Sequence, residues 1–445
     1  MRAYSDYQMI NLPWLKQIPS HWEIRRNKNI FTEMKAEVGE RSSEYTLLSL
    51  TLKGIIPRDM EAGGKFPSDF GKYKIVKKGY MAFCLFDVDE TPRTVGLSEY
   101  DGMLTGAYTI MQVANVNSRY VLYYYLALDN GKQLKPLYKG LRKTINIDTF
   151  QSTKIPVPPR EEQDQIVRFL DWKVSEINRL INIKRKEIAR LEELKQSRLL
   201  TIVTQGLNEN VEMVDSGISH IGLVPKHWKV LLNHRVFKEN CRPFSGEETV
   251  LSLSQKDGLL PYVDMKERSL HTASYENWKL VMPNDLVLNR FKAHLGVFFS
   301  SNYRGIVTFH YGVYEPTLKV ASKYYEVLYH TPKFKQVFAG ASNGMTVGLQ
   351  NLSNTNFYKV YTVYPPYEEQ CAIVNEVKKI EEEMQALILT VSKEIEMLHE
   401  FKTRLISDVV TGKIDVRGIE IPEYEYTAEE ADTDSEAEEL DEQEE

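Results

Sequence analysis

The segment Pro158-Pro-Arg-Glu-Glu-Gln-Asp-Gln-Ile-Val167 recurs as Pro365-Pro-Tyr-Glu-Glu-Gln-Cys-Ala-Ile-Val374, with seven identities in ten positions at an offset of 207. Paired prolines disfavour helix before them, and the glutamates that follow lie where the helix dipole favours negative charge. Each copy therefore predicts the start of a helix. Because this offset is far longer than the period of a solenoid repeat, the sequence predicts two large, related halves.

A coiled-coil seam follows each helix start. Apolar residues recur there at spacings of four and three, within stretches otherwise rich in Glu, Lys and Arg. The seam residues are Leu170, Val174, Ile177, Ile181, Ile188 and Leu191 in the first helix, where Lys184 fills one position, and Ile373, Val377, Ile380, Met384, Leu387, Val391, Ile395 and Leu398 in the second. Gly206 and Gly412 suit the C-terminal turns, so each helix has about 40 residues and is roughly 60 Å long.

Three shorter motifs also occur twice, whereas most positions between them differ. The pairs are Ile18-Pro-Ser-His-Trp22 with Val224-Pro-Lys-His-Trp228, Leu48-Ser-Leu-Thr51 with Leu251-Ser-Leu-Ser254, and Tyr73-Lys-Ile-Val76 with Trp278-Lys-Leu-Val281. One duplication, followed by specialisation of each middle part, would produce this pattern. We expect the tryptophan of each His-Trp motif to anchor the first segment of its domain in a core.

The part of each half that precedes its long helix mixes strand-like and helix-like segments. The predicted strands include 45–51, 80–84, 286–288 and 296–299, and the predicted helices include 120–128 and 323–330. We therefore predict a mixed α/β (α+β) domain in each half. The predicted boundaries are 1–160 for domain one, 161–205 for its helix, 206–367 for domain two, 368–413 for its helix and 414–445 for an acidic tail.

The order of these parts limits how the two helices can pair within one chain. The first helix leaves domain one and ends where domain two begins, so antiparallel pairing of the second helix returns the chain to domain one. This predicts two pseudo-twofold-related globular domains separated by an antiparallel coiled coil. Pairing between two chains is the alternative, although two similar helices in one chain favour internal pairing. A separation of roughly 60 Å equals one to two turns of B-DNA, which suits a target read in two parts.

The net charge of −6 combines a basic body with an acidic end. Residues 420–445 contain fourteen Asp or Glu and no Lys or Arg, so the remaining residues 1–419 carry +8, which is compatible with a polyanionic partner. We expect the tail to be disordered, with a solubilising, DNA-mimicking or partner-binding role left open. Three widely separated cysteines, no signal peptide and no apolar run of membrane-spanning length favour a cytoplasmic protein.

The alternation of a variable domain and a similar long helix, twice, resembles the specificity subunits of Type I restriction–modification systems. The Pro-x-His-Trp motif and the Pro-Pro-x-Glu-Glu-Gln helix start carry this resemblance, which covers about residues 1–413. It implies that 1–157 and 218–364 are target-recognition domains, each reading one half of a bipartite double-stranded DNA site. It also implies that the helices set the gap and dock two methyltransferase subunits, through which motor–nuclease subunits join. Such a chain is not catalytic by itself and needs no cofactor or metal, since S-adenosylmethionine, ATP and magnesium are expected in the partner subunits.

Basic residues in loops are the candidates for DNA contact, with phosphate contacts giving affinity and base-edge contacts giving specificity. They are Lys72, Lys74, Lys77, Lys78, Arg93, Arg142 and Lys143 in domain one and Lys266, Arg268, Arg290, Lys292, His294 and Arg304 in domain two. The segments Asn289-Arg-Phe-Lys-Ala-His-Leu-Gly296 and Gly140-Leu-Arg-Lys-Thr144 combine cations with glycine, which suits loops that approach a groove. The alternative is that these charges only solvate the surface.

Two other classes of function stay open. A coiled-coil scaffold would use the helices without reading DNA, although two dissimilar domains and a basic body argue against it. A self-sufficient enzyme would need a hidden site, because the sequence contains neither a Gly-x-x-x-x-Gly-Lys-Ser/Thr loop nor an Asn/Asp-Pro-Pro-Phe/Tyr motif. Asp59, Glu61 and Lys65 form only a weak nuclease-like grouping in a highly charged chain. Steep salt dependence of DNA binding would distinguish a DNA reader from a scaffold.

Overall fold

The computed structural model describes residues 2–58, 69–138, 143–243, 248–255, 258–265, 277–343 and 351–430. The chain divides into two compact units, unit 1 (Met1–Glu187 with Val391–Glu445) and unit 2 (Ile188–Thr390). Both units combine strands with helices, which confirms the mixed α/β prediction. The three cysteines are free thiols. Within the described ranges, no helix has the length and apolar content that a membrane crossing requires.

Unit 1 is built around a four-stranded antiparallel sheet in the order β4-β11-β8-β9, accompanied by the strand pairs β1-β2, β3-β12, β5-β6 and β7-β10. The strands are β1 (Tyr7–Leu12), β2 (Leu15–Pro19), β3 (Glu23–Arg26), β4 (Phe31–Met34), β5 (Leu48–Thr51), β6 (Gly54–Pro57), β7 (Lys74–Val76), β8 (Tyr80–Phe83), β9 (Val95–Leu97), β10 (Gly102–Leu104), β11 (Thr109–Val113) and β12 (Lys154–Val157). The helices that begin in this unit are α1 (Ser118–Asn130), α2 (Ile147–Ser152) and α3 (Arg160–Gln205).

Unit 2 repeats this arrangement strand for strand, with a sheet in the order β16-β23-β20-β21 and the pairs β13-β14, β15-β24, β17-β18 and β19-β22. The strands are β13 (Met213–Asp215), β14 (Leu223–Pro225), β15 (Lys229–Leu232), β16 (Phe237–Glu239), β17 (Leu251–Ser254), β18 (Gly258–Pro261), β19 (Lys279–Val281), β20 (Leu286–Asn289), β21 (Phe298–Ser300), β22 (Gly305–Val307), β23 (Tyr311–Pro316) and β24 (Tyr361–Tyr364). The helices are α4 (Asn233–Val236), α5 (Ser322–Tyr329), α6 (Pro332–Ala341), α7 (Asn354–Tyr358) and α8 (Tyr367–Val410). The shared topology confirms the duplication.

Tyrosines of α1 and α5 occupy the core of their units at equivalent positions. Tyr125 and Tyr329 are 1% and 0% exposed, and each needs a partner for its hydroxyl group. The Tyr125 hydroxyl donates to Asn27 Oδ1 at 2.8 Å, and the Tyr329 hydroxyl donates to Asn233 Oδ1 at 2.7 Å. Both asparagines are fully buried, so the same polar contact has been kept inside both cores.

Helices α3 and α8 contact each other within each unit. In unit 1, Lys184 Nζ lies 2.8 Å from Glu394 Oε2, and in unit 2, Arg198 Nη1 lies 3.5 Å from Glu383 Oε2. In unit 1, Lys402 Nζ also donates to Asn178 Oδ1 at 3.2 Å, so residue numbers rise along α3 as they fall along α8, which confirms internal antiparallel pairing there. Lys184 fits in the seam because its ammonium group reaches Glu394. The assignment of Leu387 to the seam was wrong, since this side chain is 44% exposed, whereas the neighbouring Ile388 is half-buried.

A glutamate at the start of each long helix holds the preceding His-Trp motif. Glu162 accepts hydrogen bonds from the Tyr4 hydroxyl at 2.6 Å and Trp22 Nε1 at 3.0 Å, and His21 Nε2 lies 2.7 Å away. Glu369 makes equivalent contacts with the second His-Trp motif at 2.6 and 2.7 Å. Both tryptophans are buried, which confirms that they anchor the first segments of the domains. We name each of these arrangements a joint.

Glycine is required where each helix ends beside a joint. Gly412, after α8, has φ +75°, and a Cβ atom there would lie 2.3 Å from Pro19 Cδ. Gly206, after α3, has φ +81°, and a Cβ atom there would lie 3.2 Å from the Trp228 ring. Any residue other than glycine would be costly at these positions, because the backbone is left-handed and a Cβ atom would approach a neighbouring side chain too closely. The predicted C-terminal turns are therefore confirmed.

The prediction of a disordered tail from residue 414 onward was wrong for residues 414–430, which lie along α3 within unit 1. Ser175, Asn178 and Asn182 on α3 hydrogen-bond to the backbone of this segment. Its acidic composition suggested disorder, but Val416 is buried in the core of unit 1 and Ile414, Ile419 and Ile421 pack against that core. Residues 431–445 lie outside the described residues.

Candidate nucleic-acid interface

The segment around strand β7 exposes several of the candidate cations of unit 1. Lys72, Lys77 and Lys78 have exposed side chains, and Lys78 Nζ lies 3.4 Å from Glu99 Oε2. Lys72 and Lys77 form no ion pair with any other residue that the structure describes. Free ammonium groups on flexible stems are suited to phosphate contact, so these two lysines are the strongest cations for that purpose in this unit.

Lys74 instead holds a loop, and its role recurs in unit 2. Its Nζ donates to the backbone carbonyl of Tyr108 at 2.6 Å. Lys279, which occupies the same place in the repeated motif, donates to the backbone carbonyl of Tyr311 at 2.8 Å. Each tyrosine lies where a loop enters an inner strand of its main sheet, β11 or β23. Burial raises the pKa of Tyr108 to about 12, so its phenol stays neutral. The partner of Lys74 is therefore the backbone carbonyl of Tyr108 and not a charged phenolate.

The same two loops meet in each unit through an aromatic contact. In unit 1, the ring of Phe86, after β8, stacks on Tyr108 with centroids 6.3 Å apart. In unit 2, the ring of Phe291, after β20, lies 5.9 Å from His310, before β23. His310 also packs against Phe309 at 3.9 Å. Phe291 and Phe309 are 42% and 49% exposed, and exposed rings can stack with nucleic-acid bases.

Two other candidates of unit 1 take part in internal ion pairs. Arg93 Nη1 donates to Asn130 Oδ1 at 3.0 Å and lies 3.4 Å from the buried carboxylate of Asp129. Lys143 Nζ donates to Glu90 Oε1 at 2.8 Å, and this hydrogen bond raises the pKa of Lys143. Arg93 is 16% exposed at its side chain, so it braces the loop between β8 and β9 from inside.

The segment predicted as a groove-approaching loop in unit 2 forms a short 3₁₀ helix, Arg290–Leu295. Arg290 Nη2 donates to Asn354 Oδ1 at 2.8 Å and pairs with Glu239, so this guanidinium group faces the interior. Lys292 is exposed and forms no ion pair with another described residue, whereas His294 is half-buried. Lys292 therefore stands beside the exposed Phe291 as the free cation of this helix.

The remaining candidates are exposed or undescribed. Arg304 is 61% exposed and lies 3.6 Å from Glu248. Arg142, Lys266, Arg268, Asp59, Glu61 and Lys65 lie outside the described residues. Among the described residues, no group of three or more His, Cys, Asp or Glu side chains is arranged to hold a metal ion.

Comparison with known proteins shows which proteins this architecture is similar to. Residues 98–193, which run from the first domain into α3, match the Type I restriction modification DNA specificity domain. A putative type I restriction enzyme MjaX specificity subunit from Methanocaldococcus jannaschii is 25% identical over 434 residues, covering 90% of this chain and 95% of that protein. The chain is therefore similar to Type I restriction–modification specificity subunits over most of its length.

Two further similarities agree with this family. The type I restriction enzyme MjaVIII specificity subunit of the same organism is 34% identical to this chain over 82 residues, 18% of each chain. A chain solved in work on complex assembly and conformational transition of the type I R-M system has a TM-score of 0.59 and 13% identity. It covers 89% of this chain and 99% of its own, so the fold is shared along nearly the whole length.

Three residues around these loops were not predicted as candidates. Lys279 lies within a repeated motif, so comparison of the two copies indicates the same loop-holding role as that of Lys74. Phe309 and His310 belong to no periodic sequence pattern. Only the contact between His310 and Phe291, and between Phe309 and His310, makes them candidates for the DNA surface. An exposed aromatic pair in a turn is recognisable only after the strands on both sides have been placed.

Proposed function

We propose that this chain is the DNA-sequence specificity subunit of a Type I restriction–modification complex, not catalytic by itself, in which each globular domain reads one half of a bipartite target. One observation carries the proposal: the same strand order occurs twice, and the same two loops of each copy meet while carrying different side chains. Two different half-sites require two domains that share a strand order and differ in the side chains of their loops.

Within each domain, the paired loops and the cations beside them form the proposed DNA surface. In unit 1, Lys72 and Lys77 supply phosphate contacts. In unit 2, Lys292 supplies a phosphate contact, and Phe291 and Phe309 pack against sugar or base. The lysines that hold the loops from within fix their shape, because a loop that is ordered before binding loses less conformational entropy on the DNA.

The long helices set the gap and dock the partner subunits in this proposal. Exposed apolar residues occur at equivalent positions of the repeat: Leu180 matches Leu387, and Leu194 matches Phe401, and all four are 44–48% exposed. Exposed apolar side chains at matching places on a helix pair are suited to two copies of one partner. We assign them to two methyltransferase subunits, through which motor–nuclease subunits join. S-adenosylmethionine, ATP and magnesium then belong to those partners, and the assembly works in the cytoplasm on double-stranded DNA.

Domain exchange tests the proposal. Residues 1–157 are replaced by the matching domain of another family member, and the methylated target is mapped. We expect one half of the target to change while the other half and the gap stay the same. Alteration of both halves would contradict independent reading. Binding to a DNA duplex that carries the target is measured in parallel, since a scaffold that does not read DNA would lack steep salt dependence.

A further inference from the structure

Residues 419–430, which we name the strap, follow α8 and lie against α3 in unit 1. Gln165 on α3 donates to the carbonyls of Val416 and Ile419 at 3.0 and 2.8 Å, where the strap begins. The later contacts involve higher-numbered residues of α3, ending at Arg185 and Glu430. The strap therefore runs in the direction of α3 and opposite to α8.

Three polar residues at helical spacing bind the strap through its backbone. Ser175 Oγ accepts from Thr427 N at 2.8 Å and donates to the Glu425 carbonyl at 3.2 Å. Asn178 Nδ2 donates to the Thr427 carbonyl at 3.2 Å. We name Ser175, Asn178 and Asn182 the rungs.

Asn182 makes the most complete of these contacts. Its Nδ2 donates to the Ala428 carbonyl at 3.0 Å, and its Oδ1 accepts from Glu430 N at 3.0 Å. The amide thus engages both donor and acceptor of the strap, much as a neighbouring β-strand would. Since these bonds depend on backbone atoms, they fix where along α3 each strap residue lies.

Charge then connects the strap to both helices at once. Glu429 lies 3.0 Å from Arg185 on α3, and it pairs with Lys402 and lies 3.4 Å from His399 on α8. Burial raises the pKa of the Glu429 carboxyl, but the hydrogen bond and charge of Lys402, with the charges of His399 and Arg185, outweigh burial and hold that pKa below its usual value. The carboxylate is therefore charged at neutral pH.

Unit 2 shows that the rungs serve the strap and not the helix. The rungs are only 2–5% exposed, although Ser and Asn are poor residues for a helix interior. The equivalent positions at the repeat offset of 207 are Glu382, Gln385 and Leu389, and all three are exposed. The second copy of the helix therefore lacks both the rungs and a covering segment among the described residues.

We propose that the strap is an intramolecular clamp that fixes the register of α8 against α3. A heptad seam tolerates sliding by seven residues, because apolar positions then meet again about 10 Å further along. The strap does not tolerate it, since only residues 411–418 separate it from the end of α8 and its carbonyls are bound by fixed rungs on α3. If the helices set the gap, as the proposed function holds, the clamp also keeps that gap constant.

The test measures register without DNA, so it stands apart from the proposed function. The full chain, with Cys241 and Cys371 replaced by serine, carries spin labels at Ile183→Cys and Arg404→Cys. We expect one distance in this protein. A triple rung variant, Ser175→Ala, Asn178→Leu and Asn182→Leu, should show a second population whose axial offset differs by about 10 Å, the rise of seven residues. Amide exchange of residues 424–430 should be at least about tenfold faster in this variant.

Two controls complete the experiment. A chain that ends at residue 418 leaves both helices intact and should reproduce the second distance, even if the rung variant folds poorly. The unit 2 changes Glu382→Ala and Gln385→Leu should leave both the distance and the exchange of residues 424–430 unaltered. One unchanged distance in the rung variant and in the shortened chain would overturn the clamp, as would full protection of the strap without its rungs.

Discussion

Glu162 is the acceptor at the first joint for three side chains, and its replacement by alanine should destabilise unit 1 strongly. Its side chain is 5% exposed, so water cannot easily replace the lost carboxylate. The buried hydroxyl of Tyr4 and indole of Trp22 would keep no acceptor, and His21 would lose its partner. Breaking such a buried, charge-assisted set costs roughly 3–5 kcal/mol.

Glu369 provides the matched control, because it binds the second His-Trp motif in the same way. Its side chain is 41% exposed and has two partners rather than three, so solvent compensates much of the loss. We expect Glu369→Ala to cost about 1 kcal/mol, in the range of exposed ion pairs. The two substitutions remove the same chemical group, so the difference between their losses in the free energy of unfolding measures the effect of burial.

Differential scanning calorimetry of the full chain, with hydrogen exchange to assign each transition to a unit, measures both effects. For domains of this size, 1 kcal/mol shifts Tm by roughly 2–4 °C. Glu162→Ala should therefore lower the Tm of unit 1 by about 10 °C, and Glu369→Ala should lower that of unit 2 by about 3 °C. Equal shifts, or a larger effect of Glu369→Ala, would refute the reasoning that burial of the joint governs its strength.

Three further outcomes follow from the structure. Gly412→Ala should cost about 2–4 kcal/mol by denaturant unfolding, because its φ is +75° and Pro19 lies in the way, whereas Gly418→Ala, with open space around it, should be neutral. The pKa of Glu429 is below its usual value of 4.5, so its carboxylate helps to hold the strap above pH 4.5, and this contribution should be lost as the pH falls through the lowered pKa. Hydrogen exchange of the strap should therefore become faster at low pH. The variant Glu429→Gln should abolish this pH dependence. Insertion of one heptad at the middle of both α3 and α8 keeps the seam and adds about 10 Å, so the methylated gap should lengthen by roughly three base pairs while both half-sites persist.

The long helices were predictable because their signals are local and repeated. The proline pairs and the seam placed the starts close to the observed Arg160 and Tyr367, and the glycines marked the ends. Leu387 was misassigned because Leu387 and Ile388 are adjacent apolar residues and only Ile388 is half-buried. Which of the two faces the partner depends on where the other helix lies.

The interior roles of charged residues were not predictable in the same way. Arg93 and Arg290 look like surface cations in the sequence, yet each meets an acidic partner brought close only by the fold. The acidic composition of the strap predicts disorder, whereas the residues that bind it lie about 250 positions earlier in the chain. In both cases the deciding contact joins residues that are distant in sequence.

Base-resolution mapping of methylated adenine in cells, with and without this chain beside its methyltransferase, tests the central claim most directly. A two-part motif with a fixed gap, present only when this chain is present, is the predicted result, and it would also reveal the target. Absence of any new motif, with both proteins intact and associated, would contradict the assignment of sequence specificity to this chain.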